Sequence, residues 1–205
     1  GVKVVGNGAF ANCGLVNVEF GDKLETLKHG AFYSCTSLRS IIMPSVRSIE
    51  YSAFGNCEQL TDLDLPEGLE MVGQRAFHFC QRLRRIAAPL RSEMIANNVF
   101  SDCPDLTAVD LVGGVHNTIA SLHLESWRND TKQEINRINQ VLPTTPADDK
   151  TAAIKQWMDS VMDKMDHYKA EHHRYVKEAV TLLELALWKA KLAEKEENSA
   201  EGRTK

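Results

Sequence analysis

No apolar run in this chain of 205 residues approaches the eighteen that a membrane-spanning helix needs. A basic excess is also missing. Lysine and arginine total 24 against 28 acidic residues, for a formal net charge of −4. The balance holds in both parts, with 10 basic and 13 acidic residues in 1–114, then 14 and 15 in 115–205. Phosphate backbones attract the opposite sign, so nucleic acid is not an expected partner. Catalytic signatures are lacking too. "GNGAF" at 6–10 is no phosphate loop, because it does not sit between a strand and a helix. The serines have no nucleophile-elbow context, and no pair of carboxylates stands out. Neither enzyme activity nor a cofactor is expected. With 43% hydrophobic and 25% charged residues, general disorder is excluded as well. The chain opens at Gly1, inside a repeat, which suggests a segment of a longer protein.

What is present is a phrase that returns five times: "AFANC" at 9–13, "AFYSC" at 31–35, "AFGNC" at 53–57, "AFHFC" at 76–80 and "VFSDC" at 99–103. Phe10, Phe32, Phe54, Phe77 and Phe100 step by 22, 22, 23 and 23 residues, and the five cysteines follow in lockstep. Leu38, Leu60, Leu83 and Leu106 come three residues after Cys. Apolar pairs then alternate as Ile41/Met43, Leu63/Leu65, Ile86/Ala88 and Val109/Leu111; the first copy, one residue short, uses Leu15, Val18 and Phe20. A second apolar pair precedes each Phe: Val2/Val5, Leu24/Leu27, Val46/Ile49, Leu69/Val72 and a weaker Ser92/Ile95. Such a period predicts a leucine-rich-repeat solenoid in which equal positions stack into columns. Each cysteine is then one rung of a buried, free thiol ladder. Zinc would need ligands converging from paired cysteines, and parallel thiols suit disulfide torsions poorly.

The string Ala-Phe-x-x-Cys-x-x-Leu-x-x-Ile-x-Met-Pro at 31–44 and its relatives resemble the BspA-like class of leucine-rich repeats over about residues 1–112. Members of that class are surface adhesins or intracellular repeat proteins of unassigned role. The resemblance implies protein binding and carries over no catalytic residue.

Strand positions that flank the inward residues point to the concave side. One column is Glu19, Ile42, Asp64, Ala87, Asp110, and its neighbour is Asn17, Ser40, Asp62, Arg85, Ala108. Glu19, Ile42, Asp64, Arg85 and Asp110 are the candidate partner-binding residues of this half. An Asp62–Arg85 pair between turns is the plainer expectation for that surface. Arg75, Arg82, Arg84, Arg85 and Arg91 crowd the fourth turn; Arg84 and Arg85 point to opposite faces, so an anion pocket is not required.

After Gly113 and Gly114 the period changes. Asn117 is a candidate N-cap for a helix over 118–142, with Ala120, Leu124, Trp127, Thr131, Ile135, Ile138 and Leu142 on one stripe. "LPTTPADDK" ends it, with Thr145 able to cap a second helix and Pro146 to open it. That second helix carries Ile154, Met158, Val161, Met165, Tyr168, His172, Tyr175, Ala179, Leu182 and Ala186 in steps of four and three, a heptad seam. His172 is expected as a hydrogen-bonded core histidine. Asp163, His167 and Glu171, with His172 and His173, could line a helix face as metal ligands. Without a His-Glu-x-x-His signature, a solvated charged face is the plainer reading, and no metal is expected. "SLHLESWRND", "INRINQVLP" and "TLLELALWKAKL" resemble the tails of leucine-rich-repeat proteins of microalgae whose role is unknown.

The expected fold class is thus α+β: a leucine-rich-repeat solenoid of about five 22–23-residue repeats, followed by a long-helix hairpin or small helical bundle. Its divisions are a solenoid at 1–114, a helical hairpin or coiled-coil region at 115–196 and a disordered tail at 197–205. With no separate cap motif after Leu111, the helices are expected to close the solenoid. Val176, Ala179, Val180, Leu182, Leu183, Ala186, Leu187 and Ala190 form a broad apolar face, expected to pack within the chain. Leu185, Trp188 and Leu192 form a second stripe for a partner, which could be another protein, the solenoid or a second copy. The function expected is protein binding or scaffolding through the concave face, the last helix or both. A cell-surface adhesin and an accessory region of an enzyme with its site upstream are the alternatives. Free buried thiols favour an intracellular location.

Overall fold

The computed structural model describes residues 1–91, 93–112 and 124–201. Nine short strands wind through the first half: β1 (Val4–Val5), β2 (Asn17–Glu19), β3 (Thr26–Leu27), β4 (Ser40–Ile42), β5 (Ser48–Ile49), β6 (Asp62–Asp64), β7 (Met71–Val72), β8 (Arg85–Ala88) and β9 (Ala108–Leu111). Every pairing is parallel and joins one turn of the coil to the next. One ladder runs β1-β3-β5-β7 and is extended by a bridge from Val72 to Ile95. The alternating apolar segments make the others, β2-β4 and β6-β8-β9. Equal repeat positions pair, as Glu19 with Ile42 and Asp64 with Ala87, because only that register keeps every apolar residue facing inward.

Inside, the expected columns are closed. Leu38, Leu60, Leu83 and Leu106 are fully buried, and the phenylalanine rings stack at centroid distances of 5.1, 5.3, 5.2 and 5.9 Å. Such near-parallel contact adds to the area each ring buries. Cover is thinner at the first turn, where Phe10 and Val2 are exposed and Val5 is buried. Ser92 lies outside the described residues; Ile95 beside it is buried.

The recurring cysteine has a second cause besides its size. Four of the five thiols donate to the phenylalanine carbonyl one turn back: Cys35 to Phe10 at 3.0 Å, Cys57 to Phe32 and Cys80 to Phe54 at 3.3 Å, Cys103 to Phe77 at 3.1 Å. The same carbonyls accept the amide of the cysteine in their own turn, as Phe32 does from Cys35 at 3.2 Å. A weak, long-reaching S–H donor therefore saturates an acceptor buried between turns.

Two bends per turn use the left-handed backbone region. One column is Gly8, Gly30, Ser52, Arg75 and Asn98; the other is Asn12, Ser34, Asn56, Phe79 and Asp102, just before each cysteine. Gly73 is required for a different reason. A Cβ there would lie 2.8 Å from the backbone of Glu50 and Tyr51. Gly73→Ala is therefore expected to cost on the order of 1–3 kcal/mol through forced separation of two turns. Chemical denaturation checks this, and an unchanged midpoint would show that the turns separate freely.

Beyond the solenoid, α1 (Leu124–Val141) turns through two 3-10 segments, Leu142–Thr144 and Ala147–Asp149, into α2 (Lys150–Glu201). Asn117, Ala120 and the expected helix start at 118 lie outside the described residues. Thr145 does not cap the second helix: its hydroxyl donates to the Val141 carbonyl at 3.0 Å, closing the first one instead. Pro146 stands before the 3-10 segment without a side-chain cap. α2 is a single run of 52 residues, roughly 78 Å long, and continues to Glu201, past the expected start of a tail at 197.

The hairpin closes the last turn, as a solenoid requires. Its apolar residues Trp127, Ile138, Leu142, Ile154, Trp157, Met158 and Val161 join the solenoid core without a break. Three polar side chains replace the turn that would come next. The amides of Phe10, Phe32, Phe54 and Phe77 donate to a carbonyl of the following turn; the Phe100 amide donates to Thr151 Oγ1 at 2.9 Å. The Glu58 carbonyl accepts the Arg82 amide; its counterpart on Pro104 accepts Lys150 Nζ at 2.6 Å, and Leu106 O does so at 2.7 Å. Asn139 Oδ1 accepts from the Val109 amide on β9 at 2.7 Å. Lys150 is 1% exposed, and burial holds its ammonium below the ordinary lysine range.

Candidate interaction surfaces

The strand face carries the predicted columns in the predicted register, but its electrostatics differ. Arg85 does not pair with Asp62. Its guanidinium donates to Asp64 at 2.8 Å and lies 3.9 Å from Asp110, binding three turns across the ladder. The diagonal wins because the long arginine reaches both carboxylates of the outer column at once. Ala87, between them in that column, is buried, so the surface offers Glu19, Ile42, Asp64, Arg85 and Asp110. Ile42 is 53% exposed and is the apolar point of this face.

The arginines of the fourth turn do not converge. Arg82 donates to Gln59 at 2.9 Å, and Arg85 is held on the strand face. Arg75 lines a groove of about 410 Å³ with His29, Tyr33, Tyr51 and His78. His29 and Tyr51 stack there at 5.2 Å, and His78 Nδ1 lies 3.4 Å from Asp102.

Among the described residues, polar contacts join the two helices at Glu134 and at Asp130. Glu134, 2% exposed, takes Lys164 at 2.6 Å and Arg137 at 2.9 Å, which compensates its buried charge. Tyr168 donates to Asp130 at 2.8 Å and touches Trp127; burial, then Asp130, push its hydroxyl up to about 12. Among the described residues, these contacts between α1 and α2 extend as far as Tyr168. His172, one turn further, is half-buried, and its Nδ1 has no hydrogen-bond partner, contrary to the expectation of a bonded core histidine. His167 and Glu171 approach to 3.8 Å. Among the described residues, no group of three or more His, Cys, Asp or Glu is arranged to hold a metal ion.

From His173 to Leu192 every residue is exposed. The expected burial of the broad face within the chain does not occur. The physical reason is length: α1 runs antiparallel to α2 and, among the described residues, gives out opposite Tyr168. Val176, Val180, Leu182, Leu183, Leu185, Leu187, Trp188 and Leu192 are left 43–70% exposed. No helix among the described residues is long and apolar enough to cross a membrane.

Cys35, Cys57 and Cys80 are poor nucleophiles. Burial pushes Cys35 up, Cys57 up to about 12, and Cys80 well above its ordinary range. All five cysteines are free.

A parallel two-ladder coil with a 22–23-residue period, an internal Phe–Cys ladder and a surface-exposed strand column defines a leucine-rich-repeat solenoid. The model of the BspA type leucine rich repeat region matches residues 2–123 in six copies, and the chain belongs to that family. Proteins of this family are typically surface or interaction proteins. α1 and α2 lie beyond the matched segment. No curated protein matches the chain. Among solved structures, it is similar to a leucine rich cell surface protein of Faecalibacterium prausnitzii, with 30% identity and a TM-score of 0.50. That match covers 56% of this chain and 31% of the other, so this chain spans about a third of that relative. The leucine rich repeat protein of T. pallidum is 22% identical, with a TM-score of 0.44 over 67% of this chain and 77% of its own.

Proposed function

We propose that this chain is a non-catalytic protein-binding module in which a capped solenoid carries a projecting helix. The observation that supports it is the bare half of α2, where eight large apolar side chains meet solvent within seventeen residues. Soluble proteins rarely leave contiguous apolar patches above a few hundred Å² uncovered, and those that do mark interaction sites. The stripe of Leu185, Trp188 and Leu192 is the anchor for a protein partner, since tryptophan is among the residues that most often carry binding energy, and Trp188 is 70% exposed. Glu19, Ile42, Asp64, Arg85 and Asp110 form a second, more polar contact on the strand face.

Changing Leu185, Trp188 and Leu192 together to Gln is expected to abolish partner capture from the native source. The melting curve should move little, because exposed substitutions change stability by about 0.5 kcal/mol or less each. Unchanged capture would remove the stripe from the binding surface. A cell-surface role is the second reading, favoured by the likeness to the F. prausnitzii protein; buried free thiols favour a reducing compartment instead.

A further inference from the structure

The broad face of α2 is distinct from the stripe and asks for its own cover. Val176, Val180, Leu183, Leu187 and Ala190 step by four and three, which is the seam of a two-stranded coiled coil. At 100° per residue, Leu185, Trp188 and Leu192 lie about 120–180° from its centre, on the far side. The four exposed seam side chains, Val176, Val180, Leu183 and Leu187, leave on the order of 400 Å² uncovered, about half of what one partner contributes to an interface of standard size. That is the scale of a weak, concentration-dependent dimer. We propose that this seam pairs with the same segment of a second copy of the chain, in antiparallel orientation. The proposal rests on the protein-binding reading and names the partner of one of its two faces.

The orientation follows from the residues beside the seam. One flank carries Ala179 and Ala186, and the other carries Lys177, Glu184 and Lys191. Parallel helices would set the charged flank of one copy against the alanine flank of the other, and no charge would be paired. Antiparallel helices set like flanks together: alanine on alanine, which lets the backbones approach, and charge on charge.

Charge also selects the register. Two antiparallel registers, one heptad apart, match the apolar layers. In the first, Val180 meets Leu183 of the second copy and Val176 meets its Leu187. Lys177 then faces Glu184 of the second copy, and Glu184 faces Lys177. The other register sets Leu183 against Leu187, and brings Glu184 to Glu184 and Lys177 to Lys191. Like charges at such positions are destabilising, so the first register is favoured. It pairs residues 173–190, roughly 27 Å of helix, beginning beyond Tyr168, which bonds to Asp130 of α1.

The test is the mass of the full chain in solution as a function of concentration. A dimer is expected as concentration rises, and a monomer up to roughly 1 mM would overturn the proposal. Leu183→Glu and Leu187→Glu should each give a monomer whose unfolding transition is intact, because both side chains are exposed in the single chain. A dimer that survives both changes overturns the seam. Lys177→Glu and Glu184→Lys should each weaken association about tenfold, and the double change should restore it, since it exchanges the partners across both pairs. Single changes without effect, or a double variant no better than the singles, would overturn the antiparallel arrangement. The Leu185, Trp188 and Leu192 to Gln variant should stay dimeric. Loss of partner capture in that variant with the dimer intact separates the two surfaces, whereas loss of the dimer itself overturns the assignment of faces.

Discussion

A chain cut after Val112 is expected to precipitate or to melt without a sharp transition. Removing the hairpin uncovers the last turn of the solenoid, where Phe100, Cys103, Leu106 and Val109 are all buried in the full chain. Each fully buried apolar side chain of this size is worth about 1.5–3 kcal/mol when covered, and stability of a small domain is only about 5–15 kcal/mol in all. The cut also leaves the Phe100 and Val109 amides and the Pro104 and Leu106 carbonyls without the partners they have now. A point change isolates the polar part. Lys150→Met keeps the length of the side chain and removes the donor to both carbonyls. It is expected to cost on the order of 2–4 kcal/mol, because two buried acceptors lose their bonds together. A soluble, sharply melting 1–112 fragment, or a Lys150→Met chain as stable as the parent, would show that the solenoid does not depend on the hairpin.

Alkaline pH is the second large lever. A cysteine thiol ionises near 9.0 in the unfolded chain, whereas Cys57 in the fold is pushed up to about 12, chiefly by burial. A raised pKa makes the contribution fully present below the unfolded value, then lost as pH climbs through the folded one. For Cys57 alone the loss is on the order of 4 kcal/mol between pH 9 and 12. Cys35 and Cys80 shift in the same direction, as does Tyr168. Lys150 acts the opposite way: its lowered pKa means that deprotonation between its folded value and 10.5 relieves a penalty. The net expectation is a melting temperature that holds to about pH 9 and falls steeply beyond it. Cys57→Ala should lower stability at neutral pH and flatten that fall. Equal slopes in parent and variant above pH 9 would show that the thiol ladder is not what titrates.

The solenoid was legible because a repeat writes one constraint five times over. Counting from one Phe to the next is enough to pair Asp64 with Ala87 and to place the buried leucines of the solenoid. Single, unrepeated contacts were not legible. Lys150, Thr151 and Asn139 each reach back 30–51 residues to one peptide group, and nothing local in "ADDKT" announces it. The choice of Asp64 over Asp62 by Arg85 is decided by side-chain reach, which the strand alternation does not encode. Left-handed backbone at Arg75 and Phe79 carries no residue signal either, since neither is a turn former. Nor does the Phe-x-x-Cys phrase announce that the Cys57 thiol donates to the Phe32 carbonyl one turn back at 3.3 Å. The helical half shows the limit most plainly. Amphipathic spacing says that Val176 to Ala190 needs cover but not from where, and α1, among the described residues, gives out opposite Tyr168.

Asn139, Lys150 and Thr151 bond to peptide groups that every turn possesses, and the bond from Lys155 to the Asn97 side chain in the fifth turn, at 3.2 Å, is an exposed contact of little weight. The hairpin is therefore indifferent to how many turns stand before it. A duplicated stretch of 23 residues ahead of Phe100 would shift the hairpin outward by one strand spacing, about 4.8 Å, and present it with the same amides and carbonyls. Solenoid length in this architecture is an adjustable dimension, and tandem duplication can lengthen it without any compensating change in the piece that ends it.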